Sequence, residues 1–434
     1  MRYKHLIQVL TGTKQIVCES IEMNEQVGAI NIIAHPDRKS QCRCGICQKK
    51  CPRYDKGRGM RRWRCLDIGS TPTYILSESY RVSCPDHGVV TAYVPWARHK
   101  TGFCSNFEDT IAWLSVHSSR KAISELMRVE WHTVGEICDR VYKNLESQSG
   151  SRFDGLVNIG IDETSYKKGH KYMTVVVNHD TSSVIWCAIG YGKEVLKSFF
   201  KQLSDEQRKT IRCVSADGAQ WIADCVSEYC PNAERCIDPF HVVSWATEAL
   251  DQVRRQAWAE ANREAKSSQK KRSRGRPPKG EETGPVKEKA NSLKRTKYAL
   301  LKNPENLTEN QQAQLSFLTA ANPKLYRAYL LKENLRLALK ADSDEIGILL
   351  IKWMAWAQRC RIPEFRDLRK KIKRNFSAII ATAKFHLSNA RIEAINNKIK
   401  LVIRTAFGFR NTDHLLSLVM LNCSDVHVAL PQRS

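Results

Sequence analysis

Gly155-Leu-Val-Asn-Ile-Gly-Ile-Asp-Glu163 decides how the rest of the chain is read. Val157, Ile159 and Ile161 alternate as the buried face of a β-strand does, so Asp162 falls on the opposite face, where the apolar run stops. An acid at the mouth of a core strand is either the polar end of an ordinary turn or part of a site. The two are separated by whether further acids follow in equivalent settings.

They do. After the strand at 156–162 the pattern reads strand 171–177, turn 178–183, strand 184–189, helix 194–203, strand 211–216, helix 219–229, strand 234–237 and a helix from 240. Three strands followed by alternating helix and strand is the order of an α/β, ribonuclease H-like fold, in which the first and fourth strands lie together at the sheet centre. Asp162 is expected to end the first strand and Asp217 the fourth, the latter in Val214-Ser-Ala-Asp-Gly-Ala-Gln-Trp221, where Gly218 permits a tight exit. Asp217 is also well placed to cap the following helix. Asp238-Pro-Phe-His241 follows the fifth strand. Its acid and imidazole could touch a phosphate or leaving group as accessory residues, or could cap and orient a helix.

A third acid comes late, in Ser388-Asn-Ala-Arg-Ile-Glu-Ala-Ile-Asn-Asn-Lys-Ile-Lys-Leu-Val-Ile-Arg404. Ile392, Ile395, Ile399 and Val402 form a buried helical stripe, while Glu393, Asn397, Lys400 and Arg404 follow on a second face. One carboxylate among such donors can hold a metal while Asn397, Lys400 and Arg404 neutralise a DNA strand. The plain alternative is a solvated helix face.

The totals narrow the class. Lys and Arg number 70 against 45 acids in 434 residues, a formal charge of +25, which points to a polyanionic partner. No apolar run approaches the ~18 residues of a membrane span, and the start lacks a signal peptide. The cytoplasm is the expected location. The sixteen cysteines read as reduced core thiols and metal ligands.

Cys44-Gly-Ile-Cys47 and Cys84-Pro-Asp-His87 are two ligand knuckles with the same spacing, the complement that closes a tetrahedral structural Zn²⁺ site. Cys42, Cys51 and Cys65 remain alternative ligands. Trp63, Tyr74, Ile75, Tyr80 and Val82 suggest short strands between the knuckles, as in a zinc ribbon. From Asn106 the periodicity becomes helical, with Phe107, Ile111 and Leu114, then Ala122, Ile123 and Leu126, then Val134, Ile137 and Val141. Helix, short turn and amphipathic helix make a helix-turn-helix that would turn His132, Thr133, Glu136 and Arg140 toward a major groove. Arg128 stands in the turn where many such motifs carry glycine. Residues 251–300 hold fifteen Lys or Arg against six acids. Within them, Arg274-Gly-Arg-Pro277 resembles an AT-hook, with Arg274 and Arg276 in a minor groove, although a solvated basic linker with only unspecific phosphate contact is the favoured reading. Helical patterns such as Leu325, Tyr329 and Lys332 then continue to about residue 385.

Three carboxylates in a strongly basic protein fit two-metal phosphodiester chemistry. Mg²⁺ (or Mn²⁺) takes oxygen ligands, and two ions ~4 Å apart can activate an attacking oxygen and stabilise a leaving one. Asp162 would bridge, with Asp217 and Glu393 each completing one ion. Water attack would free a 3′ hydroxyl, whose attack on target DNA would join strands.

Ile159-Gly-Ile-Asp-Glu, Ser215-Ala-Asp-Gly-Ala, Cys236-Ile-Asp-Pro-Phe-His-Val, Asn303-Pro-Glu-Asn-Leu-Thr, Ser388-Asn-Ala-Arg-Ile-Glu and Ala406-Phe-Gly-Phe-Arg410, in that order, resemble bacterial insertion-sequence transposases of the ISL-three family. The resemblance runs from the cysteine knuckles to about residue 420. It implies a zinc-binding N-terminus, a helix-turn-helix and an Asp-Asp-Glu domain, with Asp162, Asp217 and Glu393 as the acids and Asp238 and His241 as the family's Asp-x-x-His. The expected layout is an unassigned region 1–40, a zinc ribbon-like domain 41–97 and a helix-turn-helix 104–148. A catalytic domain 152–250, a basic linker with helical insertion 251–384 and a closing helix 385–425 follow. The expected function is cleavage and strand transfer at terminal inverted repeats, with element ends and target DNA as partners and a dimer or higher assembly on DNA. A DNA-binding regulator or domesticated relative, and a structure-selective nuclease, are the alternatives.

Overall fold

A computed structural model of the chain describes residues 3–267, 285–385 and 390–431. It begins with α1 (Tyr3–Thr11), β1 (Ile16–Asn24), β2 (Ala29–Pro36), β3 (Arg53–Arg64), β4 (Thr73–Cys84) and β5 (Gly88–Thr91). These strands make one sheet in the order β1-β2-β4-β3, with β5 also pairing β4. β1 and β2, from the region 1–40 to which the sequence gives no role, therefore complete a sheet that the cysteine knuckles share. The strands between the knuckles are long where short ones were expected. β3 and β4 run antiparallel from Arg53↔Val82 to Arg64↔Tyr74, their register adjusted by bulges. Trp63 and Trp96 meet edge to face at 5.7 Å in the core beneath.

Three helices follow: α2 (Ser105–His117), α3 (Arg120–Met127) and α4 (Trp131–Gln148). Ser119 caps α3 by accepting from the Ala122 N–H at 3.3 Å. Arg128 ends α3 in the left-handed region (φ 52°), the conformation that usually selects glycine. Its side chain accounts for the exception: the guanidinium pairs with Asp67 and donates to the Ser70 carbonyl at 3.0 Å, tying the helices to the first sheet.

The second sheet is built from β6 (Asn158–Lys167), β7 (Lys171–Asn178), β8 (Ser183–Ile189), β9 (Cys213–Ala216) and β10 (Glu234–Ile237). α5 (Lys193–Phe200), the short α6 (Asp205–Thr210) and α7 (Gln220–Tyr229) lie between these strands in sequence, and α8 (Pro239–Ser267) leaves the sheet. The order is β10-β9-β6-β7-β8, parallel across β10, β9 and β6 and antiparallel across β6, β7 and β8. That arrangement is consistent with the ribonuclease H-like expectation. Ile159, Ile161 and Val214 pack with Leu196, Phe199 and Ile222 of α5 and α7 on one face. On the other, Met173, Val175 and Val177 join Val134 and Ile137 of α4, so the helix-turn-helix and the sheet share a core.

The insertion contains α9 (Pro285–Arg295), α10 (Lys297–Leu301), α11 (Glu309–Ala321), α12 (Pro323–Ala338), α13 (Ser343–Arg359), α14 (Pro363–Arg374) and α15 (Phe376–Phe385). Its interior is apolar, with the Trp353 indole donating to the Leu331 carbonyl at 2.8 Å. α15 returns the chain to the sheet, where Thr382 Oγ1 donates to the Ile237 carbonyl at 2.8 Å. α16 (Ala390–Thr405) and α17 (Thr412–Cys423) close the fold, and Ile395, Ile399 and Leu418 enter the core shared by α4 and β7. Among the described residues no helix is long and apolar enough to cross a membrane. Arg274 and Arg276 lie outside the described residues.

Candidate active site and metal centre

Asp162 lies inside β6 rather than at its end. Antiparallel pairing with β7 carries the strand on through Asp162↔Val175 to Lys167↔Lys171. The parallel pairing with β9 stops earlier, at Gly160↔Ser215. Asp162 and Asp217 each stand two residues beyond that last pair, so extending the register brings the two acids to the same level on adjacent chains. Gly218 and the Asp217 carboxylate make the exit, with Asp217 Oδ1 accepting from the Ala219 N–H at 2.8 Å.

α16 is held over this point by three contacts. Asn396 Nδ2 donates to Asp162 Oδ2 at 2.6 Å, and the Arg391 guanidinium donates to the His179 carbonyl. Between them Ile392 presses onto Gly160, where a Cβ would lie 2.4 Å from Ile392 Cδ1 and 2.8 Å from His179 Nε2. Glycine at 160 is thus the condition for the helix to approach the strand. Glu393 is exposed, one helical turn from the Asn396 tether. Its carboxylate is not gathered with those of Asp162 and Asp217. Among the described residues the four zinc-type ligands are the one group of three or more potential metal ligands whose atoms all lie within 4.8 Å of one another.

The electrostatics identify a neighbour that the sequence reading left out. Burial raises the Asp162 carboxyl above its ordinary range, and the Asp217 charge adds to the rise. Hydrogen bonds from the Glu163 N–H and Asn396, and the nearby His241, act against it. Glu163 is pushed up to about 6 by burial and then by the charges of Asp217 and Asp162. Three acids therefore feel one another at this end of the sheet. Glu163 Oε1 and Asn396 Oδ1 are buried oxygens without a hydrogen-bond partner among the described residues. His241 is half-buried and near Asp162, whereas Asp238 Oδ1 caps α8 through the Phe240 N–H at 2.5 Å.

The second centre lies in the N-terminal sheet. Cys47 Sγ to Cys84 Sγ is 3.7 Å, Cys44 Sγ to His87 Nδ1 is 3.8 Å and Cys84 Sγ to His87 Nδ1 is 3.5 Å. A tetrahedral Zn²⁺ with ordinary bond lengths requires edges of about 3.8 Å between sulfurs and about 3.5 Å between sulfur and nitrogen. The four side chains fit the ion. Burial raises the Cys84 thiol, but hydrogen bonds from His87 and the local backbone outweigh it and hold it at about 6. Of the alternative ligands, Cys42 contacts Tyr80 and Cys65 lies beside Cys104, while Cys51 donates to the Lys49 carbonyl at 3.2 Å and stands against Cys84 at the edge of the four-ligand group. A Cβ on Gly45 would meet the Thr91 carbonyl oxygen at 2.5 Å, which explains glycine inside the first knuckle.

Known families match the same three parts. A zinc-finger family of insertion-sequence transposases covers residues 40–87, a helix-turn-helix domain of transposase family ISL3 covers 93–142, and the ISL3 transposase domain itself covers 159–419. The chain belongs to the ISL3 transposases. It is 46% identical over 438 residues to the transposase for insertion sequence element IS1557 of Mycobacterium tuberculosis, covering 100% of this chain and 98% of the relative. The transposase for IS1001 of Bordetella parapertussis is 24% identical over 416 residues, covering 95% of this chain and 96% of the relative. The protein is accordingly a transposase with a zinc ribbon, a DNA-binding helix-turn-helix and a DDE domain, a class whose activity is nucleic-acid strand transfer.

In this transposase the DNA-facing residues expected from sequence divide. His132 and Glu136 are exposed on α4 and Thr133 is half-buried. Arg140 points inward instead. Its Nε donates to Glu108 Oε1 at 2.8 Å, and Glu108, fully buried, also binds Arg98 at 3.2 Å and Thr101 at 2.7 Å. A buried carboxylate recruits the nearest cations, which helical periodicity alone does not reveal. Asn397, Lys400 and Arg404 are exposed along the outer face of α16. Of the adjacent pair Asn396 and Asn397, the former reaches Asp162. Both lie within about 60° of Glu393 on a helical wheel, so the sequence offered no way to choose.

Proposed function

We propose that this transposase binds the terminal inverted repeats of its element, cuts there, and joins the freed ends to target DNA, using a ribonuclease H-like domain. The observation that carries the reading is the equal reach of Asp162 and Asp217 past the last β6–β9 pair, with α16 bonded to Asp162 through Asn396. Asp162 and Asp217 would hold Mg²⁺ or Mn²⁺, and Glu393, which stands apart from them in the DNA-free chain, would complete the set when α16 shifts toward them. An all-oxygen donor set, the Asp162 and Glu163 carboxyls raised by burial and then by neighbouring negative charge, and two buried oxygens without a hydrogen-bond partner among the described residues suit a hard divalent cation. When bound, the ions supply activation of the attacking oxygen and charge stabilisation on the leaving one.

The remaining roles belong to the chain's own groups. Asn396 fixes the rotamer of Asp162, so the carboxylate is oriented before DNA arrives. His241 is placed to donate to a phosphate or leaving oxygen, with Asp238 fixing the start of its helix. Asn397, Lys400 and Arg404 would neutralise the strand being cut, and His132 and Thr133 would contact the repeat. Cys44, Cys47, Cys84 and His87 would hold one structural Zn²⁺ that joins the knuckles and takes no part in chemistry. Two ends require two such sites, hence a dimer or larger assembly on DNA.

The test is to incubate the protein and its Glu393→Ala variant with Mg²⁺, a supercoiled plasmid and a labelled duplex carrying the DNA that flanks the gene. Labelled plasmid from the wild type alone supports the reading. Binding of the duplex with neither nicking nor joining, in Mn²⁺ as in Mg²⁺, would make the protein a regulator and withdraw the catalytic roles.

A further inference from the structure

A recess lies where the first residue of α4, the end of β6 and the turn after α16 converge, walled by Trp131, Tyr166, Phe407 and Phe409 and rimmed by Lys167 and Arg410. We propose that it receives one unstacked base of the DNA strand beside the cut. The inference rests on reading Asp162 and Asp217 as the strand-cutting site.

Phe407 is the strongest observation. It is 86% exposed, the most exposed large apolar side chain among the described residues, and its backbone sits in the left-handed region at φ 53°, followed by Gly408 at φ 90°. A bulky residue in that region is an outlier, and here the conformation thrusts an aromatic ring into water. Nothing within the described chain covers it. A flat hydrophobic ring offered to solvent at some backbone cost suits a partner that is itself flat and apolar on its faces.

The walls are rigid and the rim is charged. Arg120, buried, stacks on Phe409 at 4.4 Å and on Trp131 at 5.1 Å, and so fixes both rings from behind. The recess has no acid in its lining, while Lys167 and Arg410 are exposed at its mouth. Aromatic faces for a base and cations for the flanking phosphates are the two parts of a site for single-stranded nucleic acid. An apolar peptide would use the rings but gain nothing from the cations.

Position gives the base its source. Trp131 directly precedes His132 and Thr133, and Tyr166 follows Asp162 by four residues on β6, about 13 Å along the strand. The recess therefore lies between the helix that would grip the duplex and the acids that would cut it. A base withdrawn from the stack there opens the strand beside the acids, and stacking on Phe407 offsets the unstacking.

The experiment measures binding of the full-length protein to the flanking duplex in buffer without divalent ions, with an abasic residue placed at successive positions near the cut. Phe407→Ala is expected to weaken binding to the intact duplex by about 5- to 100-fold, with Phe407→Trp retaining it. At one position the abasic residue should make wild type and Phe407→Ala bind equally, because the lost ring and the lost base are the same interaction. Asp217→Asn should keep this coupling and abolish cutting. If Asp217→Asn still cuts while the coupling persists, the acid assignment fails and the base pocket stands. Equal binding of Phe407→Ala to the intact duplex, or a deficit that no abasic position removes, overturns the proposal. So does a loss of DNA-free self-association in Phe407→Ala on sedimentation, which would make a second copy the occupant.

Discussion

Gly160→Ala is a one-methyl change at the point where α16 meets the strand that carries Asp162. The added Cβ would stand 2.4 Å from Ile392 Cδ1 and 2.8 Å from His179 Nε2, both on residues in the interior. Ordinary carbon–carbon contact is about 3.5–4.0 Å, so Ile392 and its helix must retreat by roughly 1 Å. His179 gives little room, because its Nε2 is bonded to Ser215 Oγ at 2.6 Å. Overpacking of this kind costs about 1–3 kcal/mol. A displacement near 1 Å at the Asn396 tether should reduce strand transfer by roughly 100-fold. Denaturant unfolding followed by tryptophan fluorescence measures the first effect, and the plasmid-joining assay the second. Ile392→Val removes Cδ1 and should recover about 1 kcal/mol in the double variant relative to additivity. Wild-type stability and activity in Gly160→Ala, or strict additivity with Ile392→Val, would refute the packing argument.

Other perturbations follow from the same geometry. Glu163 has its carboxyl raised to about 6, so the folded state binds its proton more tightly than the unfolded chain does. Stability without divalent ions should therefore fall as pH rises from about 4.5 through 6. Glu163→Gln should remove that slope and stabilise the protein at pH 8 by no more than ~1 kcal/mol, since the group is partly solvated; an unchanged melting profile against pH would count against the crowding. Arg140→Ala should destabilise by about 1–3 kcal/mol, because Glu108 stays buried with one cation fewer. It should leave the salt dependence of DNA binding unaltered, and a flatter salt slope would restore Arg140 to the DNA surface. Cys47→Ser should lose the bound zinc, read by metal analysis, and with it the protease resistance of residues 40–97. Retention of one zinc per chain in that variant would require a different ligand set.

Much of this molecule is legible in its sequence because the decisive signals are short-range. Alternation at Val157, Ile159 and Ile161 fixes a strand, the two knuckles offer four zinc-type ligands at equal spacing, and the i, i+3, i+7 stripe from Ile392 fixes the buried side of α16. The ordered motifs then specify the family. Local rules also fail in identifiable places. Asp162 was expected to end its strand, but a partner on one side continues pairing after the partner on the other has stopped. Arg140 was expected to face DNA, but a buried acid from another helix captures it. Asn397 was chosen over Asn396 because periodicity tolerates both.

The sequence by itself determined which residue types stand at which positions on each element, and so the family, the two ligand knuckles and the acids at the two central strands. Tertiary structure alone decided that Asn396 grips Asp162, that Glu163 joins the charged cluster, that Glu108 claims Arg140, and that Phe407 stands out over a recess completed by residues far away in the chain. The physical reason is range. Backbone periodicity fixes orientation within an element, whereas hydrogen-bond partners, burial and charge crowding depend on which elements are packed together.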